Sequence, residues 1–360
     1  MMQYLFSFLC AFFFSFIFAF FIRKFSLRYN IVDDPAKRPA SKIHDRPVAL
    51  LGGVAIFLSF NLIVLFSLKY LLGGYLLPKY LWGIFLGGLI LMIGGFLDDK
   101  FNLRPKYQII FPALASLTII ASGIGIEYIT NPLGGIFYLQ QININLFNLN
   151  DLPYKVTLLA DLFTFLWLMG MMYTTKILDG LDGLVSGITA IGSFIVFFLS
   201  LSVEVDQPET AMLAIILAGA AIGFLILNFN PAKIYLGEGG SLFTGFMLGV
   251  LAIISGGKIA TALLIMGIPI LDLAWVIIRR LFKDKKSPFK SADRKHLHFR
   301  LLDIGFSHRQ AVLFLYFLIT IFGTASLLLR GHQKLMALGV LFMVMIILGG
   351  FAVGLTLKKK

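Results

Sequence analysis

Five acidic residues in three separated stretches carry the chemistry this sequence offers. Asp98 and Asp99 are adjacent in GGFLDDK, Asp179 and Asp182 are three apart in KILDGLDGLVSG, and Glu238 lies in NFNPAKIYLGEGGSLFTG. Each stretch borders an apolar run, and an ionised carboxylate at such a boundary is costly unless it is paired, hydrated or bound to a cation. Adjacent carboxylates repel unless a proton or cation lies between them, and oxygen-only ligands favour a hard ion such as magnesium. Such an ion bridges the oxygens of a diphosphate. Plainer readings exist for each piece. The Asp98–Asp99 pair ends a solvated helix, Asp179 and Asp182 cap the next helix with glycines forming the turn, and Asp272 satisfies neighbouring helices. The combination outweighs them, because these acids gather on one side of the chain's topology beside Lys106, Lys176 and Lys233.

A second group lies in KKSPFKSADRKHLHFRLLDIGFSHRQ. His296 and His298 have no adjacent third histidine, and Cys10, the one cysteine, lies in the first apolar run, so neither a zinc site nor an internal disulfide is expected. Arg294, Lys295 and Arg300 beside them favour phosphate recognition, together with attraction to anionic lipid headgroups. The stretch VDDPAKRPASKIHDRPVALLGG likewise sets Arg38 and His44 ahead of Gly52 and Gly53.

The elements that must position these groups are membrane spans. Hydrophobic residues make up 59% of 360 positions and charged residues 14%, with a mean hydropathy of +0.90. A water-soluble domain, at roughly one quarter charged residues, is excluded. The apolar runs are unbroken rather than alternating, which excludes a β-barrel. Eleven windows, at about 3–22, 51–69, 81–97, 108–125, 156–176, 184–203, 211–228, 241–255, 259–280, 310–329 and 334–356, predict an all-α polytopic membrane bundle, read as one domain over 1–360. The first is read as a retained span rather than a cleaved signal. Of 31 Lys and Arg residues, 25 fall in one alternating set of connections, so the positive-inside rule places the C-terminus in the cytoplasm and the N-terminus outside. The net charge of +13 is therefore a membrane-orientation signal, and no nucleic acid is expected. The connection 127–155 alternates in FYLQQININLF, which suggests an external β-hairpin, and 281–309 forms a cytoplasmic basic and histidine-bearing loop.

These motifs, in this order over residues 30–310, resemble the polyprenyl-phosphate N-acetylhexosamine-1-phosphate transferases, a family that also includes the peptidoglycan translocase making lipid I. The resemblance rests on Asp34, Pro35, Arg38, His44, Pro47, Gly52 and Gly53 of the first stretch, the Asp98–Asp99 pair with Lys106, DGLDGL from Asp179, and NPAKIYLGEGGSLFTG. The SPF…ADRKHLHFRLL stretch is similar to the motif of the hexosamine branch. The resemblance implies a UDP-N-acetylhexosamine donor, most simply UDP-GlcNAc, an undecaprenyl or other polyprenyl phosphate acceptor, Mg2+ (or Mn2+) as cofactor, and UMP as by-product. It implies a multi-pass plasma-membrane enzyme working on the cytoplasmic face, with membrane lipid as a partner and a homodimer open to it. Carried across, Asp98, with Asp99 beside it, handles the acceptor phosphate. Asp179 and Asp182 meet nucleotide or magnesium, with Asp182 counted among the catalytic group. The implied metal ligands are Glu238, Asp179 and Asp98. Arg294, His296 and His298 hold the donor diphosphate, and Arg38, His44, Lys106, Lys176, Asn228 and Lys233 complete the substrate contacts. Three positions depart from the family's pattern. Tyr173 and Lys176 stand where asparagines are common, Glu238 replaces an aspartate, and Phe299 replaces the last histidine.

The chemistry implied is attack by the acceptor phosphate on the phosphorus nearer the sugar, either directly or through an aspartyl-phosphate; both need a carboxylate near Asp98. Because UMP leaves with its phosphate, a glycosidase-type carboxylate pair is the wrong template. Two other classes compete: a polyprenyl-phosphate-binding scaffold without turnover, suggested by the three departures, and a secondary transporter using Asp272 as its coupling group.

Overall fold

A computed structural model describes residues 1–35, 46–130, 135–141, 143–149, 152–256, 259–282 and 296–358. The chain begins with helix α1 (Met2–Arg28), a short strand pair β1 (Val32–Asp33) and β2 (Val48–Ala49), and helices α2 (Gly52–Phe66) and α3 (Leu68–Leu71). Helices α4 (Pro78–Phe101), α5 (Pro105–Gln108) and α6 (Ile110–Ser122) follow. Strands β3 (Tyr128–Thr130) and β4 (Ile136–Tyr138) pair antiparallel, as do β5 (Asn143–Leu149) and β6 (Leu152–Thr157). Helices α7 (Leu158–Leu178), α8 (Leu184–Ser200), α9 (Pro208–Asn228) and α10 (Gly237–Ile254) complete the middle of the chain. The last four are α11 (Ile259–Phe282), α12 (Leu297–Ile304), α13 (His308–Leu328) and α14 (His332–Lys358).

Every apolar window of the sequence is a helix, but the windows are not equally long. Among the described residues eight helices are long and apolar enough to cross a membrane. The windows at 51–69, 108–125 and 184–203 instead hold helices of 15, 13 and 17 residues. Local chemistry explains several boundaries. Proline opens α4 and α9, where a missing N–H costs no intrahelical bond. Asn102, in the left-handed region at φ 52°, stops α4 directly after the aspartate pair. Ser307 and Gln310 form a reciprocal capping box at the start of α13.

Packing orders the helices from centre to rim. In their apolar windows α10 is 94% buried and α9 83%, whereas α1 is 22% buried and α14 only 6%. Helix α10 is the hub, touching α2, α4, α7 and α8. Small residues permit that closeness: a Cβ on Gly95 of α4 would overlap the backbone of Gly239 on α10. The rim helices present Phe6, Phe13, Phe21, Met336, Phe342 and Ile347 outward, as a lipid-facing surface requires. Loop 229–236 is stitched to the start of α2: Tyr235 N donates to Ala49 O at 2.8 Å, and Gly52 N and Gly53 N donate to Tyr235 O and Leu236 O at 2.9 and 2.8 Å. These bonds hold the two loops beside the aspartate pair.

Candidate active site

Helix ends that are far apart in sequence meet at one end of the bundle around a cavity of about 1070 Å3. That exceeds the usual small-molecule range of ~300–1,000 Å3 and suits a nucleotide-sized ligand. Asp98 and Asp99 reach it from the end of α4, Asp179 and Asp182 from the α7–α8 turn, and Glu238 from the first turn of α10. Asn228 and Lys233 line the same cavity.

Each carboxylate is held by different groups. Asp98 Oδ1 accepts from Leu103 N and from Gln108 Nε2, both at 2.9 Å. Asp99 Oδ1 accepts from Glu238 N at 3.1 Å, while its buried Oδ2 has no hydrogen-bond partner among the described residues. Asp182 Oδ2 accepts from Asn230 Nδ2 at 2.9 Å and Ala232 N at 3.0 Å, and Asp182 N donates to His308 Nε2 at 2.8 Å. Glu238 Oε1 is ion-paired with the Lys176 ammonium. Desolvation, then the charges of Glu238 and Asp182, push the Asp179 carboxyl up to about 7. Burial and then the nearby Asp182 raise the Tyr235 phenol above its ordinary value.

The remaining candidates are distributed unevenly. Asn228 lines the cavity, but Ser186 Oγ donates to its Oδ1 at 2.7 Å and its Nδ2 donates to Ile234 O at 2.9 Å, so it braces loop 229–236. Lys106 lies outside the lining, its ammonium 4.8 Å from the Tyr107 ring centre. His296 and His298 stand behind the lining, and Phe299 reaches it instead. His296 Nδ1 donates to Asp272 Oδ2 at 2.9 Å and Leu297 N donates to Asp272 Oδ1 at 2.8 Å. Asp272 thus anchors the start of α12, and both of its oxygens are engaged there. The His298 ring stacks on His296 at 5.7 Å with planes 6° apart. Burial pushes His298 down to about 3, so it is neutral. A Cβ on Gly180 would come within 2.6 Å of His298 Nε2, so the turn bearing Asp179 and Asp182 rests directly on this ring. Arg38, His44 and Arg294 lie outside the described residues.

Sequence reasoning missed four contributors. Gln108 is a neutral amide in no motif, yet its Nε2 serves Asp98 and its Oε1 accepts from Lys176 Nζ at 3.0 Å. His308 sits in FSHRQ after a run of basic residues that drew the reading towards charge. Asn230 and Arg309 are joined at 2.9 Å by Arg309 Nε donating to Asn230 O, and Asn230 in turn reaches Asp182.

Among the described residues no three His, Cys, Asp or Glu side chains gather closely enough to enclose an ion. The donors fit magnesium all the same. This ion keeps water and substrate phosphate in its shell and commonly takes only one or two protein carboxylates. The unpartnered Asp99 Oδ2 and the Asp179 carboxyl, held up by burial and then by its acidic neighbours, are the oxygens a cation would relieve.

Fold and cavity together define a multi-pass membrane protein with an acid-lined site at one end of its helix bundle. Residues 81–256 match the model of glycosyl transferase family 4. A Bacillus subtilis (strain 168) protein named "Probable undecaprenyl-phosphate N-acetylglucosaminyl 1-phosphate transferase" is 28% identical over 352 residues, covering 96% of this chain and 90% of that protein. A decaprenyl-phosphate N-acetylglucosaminephosphotransferase of Mycolicibacterium smegmatis is 29% identical over 356 residues, covering 91% of this chain and 82% of that protein. An undecaprenyl-phosphate alpha-N-acetylglucosaminyl 1-phosphate transferase of Escherichia coli (strain K12) is 27% identical over 299 residues, covering 80% and 74%. Residues 81–256 thus carry a likeness to glycosyl transferase family 4, and the similarity to these transferases runs over most of the chain.

Proposed function

We propose that this protein transfers an N-acetylhexosamine-1-phosphate, GlcNAc-1-phosphate in the first instance, from a UDP-sugar to a polyprenyl phosphate such as undecaprenyl phosphate. UMP is released, and the lipid diphosphate-sugar starts a cell-envelope polysaccharide. The observation that carries the reading is the convergence of Asp98, Asp99, Asp179, Asp182 and Glu238 on one cavity at a single end of the bundle. The relatives' names supply the polyprenyl-phosphate acceptor and the N-acetylglucosaminyl phosphate group of this reading.

The acceptor's phosphate oxygen forms the new bond to the sugar-bearing phosphorus, and the bond from that phosphorus to the bridging oxygen breaks. UMP departs with the bridging oxygen and its electron pair, and no proton has to be removed from a phosphate already ionised. Mg2+, with Mn2+ as a substitute, is the proposed cofactor and supplies charge neutralisation on the diphosphate. Asp98 and Asp179 are its candidate ligands, with the open oxygen of Asp99 beside them; Glu238, the third acid named from the sequence, lies in the same lining but is ion-paired with Lys176. Asp98, in the cavity lining, has its Oδ1 fixed by Leu103 N and Gln108. Asp182, gripped by Asn230 and Ala232, holds loop 229–236 against the α7–α8 turn. The isoprenoid tail stays among lipid and rim helices, where each buried methylene contributes about 0.8 kcal/mol, and its phosphate meets the cavity at headgroup depth. The positive-inside rule supports a cytoplasmic location for this end, whose lining includes Arg46, Lys100 and Lys233.

The test is direct. Purified protein receives labelled UDP-GlcNAc, undecaprenyl phosphate and Mg2+, and organic-soluble label and UMP are measured. Both products should form together and disappear in Asp98→Asn. Failure with GlcNAc and every other UDP-N-acetylhexosamine, in folded protein, refutes the reading.

A further inference from the structure

Lys176 and Glu238 lie 62 positions apart in the chain and are joined in the folded protein. The ammonium projects from the last turn of α7 and the carboxylate from the first turn of α10, two helices packed against each other. The same ammonium donates to Gln108 Oε1 at 3.0 Å. Gln108 Nε2 in turn donates to Asp98 Oδ1 at 2.9 Å and to Leu103 O at 3.0 Å. One amide therefore ties the ammonium to the carboxylate proposed to handle the acceptor, while the ammonium closes on Glu238. The two side chains are 23% and 15% exposed, so the pair is largely withdrawn from water. Removing either partner leaves an uncompensated charge there. Both are also positions where this chain departs from the pattern it resembles, and the departures meet at one contact.

We propose that the Lys176 ammonium is a tethered cation that occupies Glu238, making Glu238 the counter-ion of Lys176 and not a ligand of the divalent ion. The ion of the proposed reaction then draws its protein oxygens from the aspartates alone, with the open Oδ2 of Asp99 among them. Three features support this assignment. A divalent ion on Glu238 would bring a second positive charge against the Lys176 ammonium already paired there. The ammonium is not simply pushed aside, because Gln108 holds it from the other flank. Finally, Gln108 sits on α5, outside the two helices that carry the pair, so the contact is clamped by three elements. The inference depends on the proposed reaction only in assuming that a divalent ion visits this cavity.

The experiment measures Mn2+ binding by electron paramagnetic resonance on the full chain purified in detergent, with neither donor nor acceptor present. Glu238→Gln should bind Mn2+ as wild type does, to within about twofold, whereas loss of a true ligand costs ~10-fold or more. Lys176→Met removes the charge at similar length and releases the glutamate; it should bind Mn2+ at least about 10-fold more tightly, and Lys176→Met/Glu238→Gln should return to the wild-type value. Lys176→Gln repeats the charge removal with a polar side chain in case the methionine disturbs packing, and each variant's unfolding midpoint certifies that it is folded. Weaker binding in Glu238→Gln alone overturns the assignment. So does unchanged binding in folded Lys176→Met and Lys176→Gln, undetectable binding throughout included. Because no turnover is involved, failure of the sugar-phosphate assay and failure of this assignment are read separately.

Discussion

Asp272→Ala offers the sharpest stability test of how the histidine segment is held. Asp272 sits on α11 three positions after Pro269, and it and His296 are each only 7% exposed. Its oxygens accept from Leu297 N at 2.8 Å and His296 Nδ1 at 2.9 Å. Alanine leaves two buried N–H groups without an acceptor, each worth about 1–3 kcal/mol, so a loss of about 2–6 kcal/mol is expected. Asp272→Asn keeps one oxygen for Leu297 N and should lose only about 1–2 kcal/mol. Two readouts apply: the denaturation midpoint in detergent, and hydrogen exchange of the peptide spanning residues 296–304. A local loss of 2 kcal/mol should speed exchange of the Leu297 amide by roughly 30-fold. Sugar-phosphate transfer should fall in parallel, because Gly180 and the acidic turn rest on His298. An alanine variant with unchanged midpoint and unchanged Leu297 exchange refutes the reasoning. It would mean that buried Leu297 and Leu301 hold α12 by packing alone.

Other consequences follow from neighbouring contacts. Gly180→Ala drives a methyl to 2.6 Å from His298 Nε2 and 2.9 Å from Phe299 Cζ, so a destabilisation of about 1–3 kcal/mol is expected, checked by the same midpoint. His298 is neutral in the folded chain, with its pKa near 3, and ordinary at about 6.5 when unfolded. The unfolded state therefore binds the extra proton between those values. Stability should drop as pH falls below about 6.5, by up to ~1.4 kcal/mol per pH unit, and should not respond to this residue above it. Unfolding midpoints from pH 8 to 4 should show that slope, and His298→Gln should flatten it. Asn228→Leu leaves Ile234 O unpaired in a buried place and Ser186 Oγ with Gly183 O alone; about 1–3 kcal/mol should be lost, and loop 229–236 should become open to protease.

The gathering of acids was legible because of alternation along the chain. Each of Asp98, Asp179 and Glu238 borders a span, and counting spans put all three at the same end. Helix positions were legible too, since apolar runs of this length admit little else, but helix lengths were not. Hydropathy continues through Ser67, where α2 stops and α3 begins, and it cannot register the short interruption at Ile109 between α5 and α6. The partners of the acids were harder to read. Gln108 carries no charge and belongs to no pattern, so only the turn after α4, closed by Asn102, reveals that it faces Asp98. His296 and His298 were expected at the donor, since basic neighbours suggest phosphate. Asp272, 24 residues earlier than His296, draws that ring behind the lining instead. Asp272 read alone suggested a coupling group within the membrane; its engagement by α12 gives it a structural job. Pairings such as Lys176 with Glu238 depend on which helices become neighbours, and no local spacing encodes that.

The near-complete enclosure of α10 has a consequence for life in different bilayers. At about 1.5 Å per residue, its 18 residues make a rod of ~27 Å that touches other helices almost everywhere. A thicker or thinner hydrocarbon layer acts on surfaces it can reach, which belong most of all to α1 and α14 and in part to α4, α7 and α13. Tilting of these outer helices absorbs the mismatch, while the rod bearing Glu238 keeps its angle. Changes in acyl-chain length should therefore alter how the outer helices sit in the membrane far more than they alter the angle of α10.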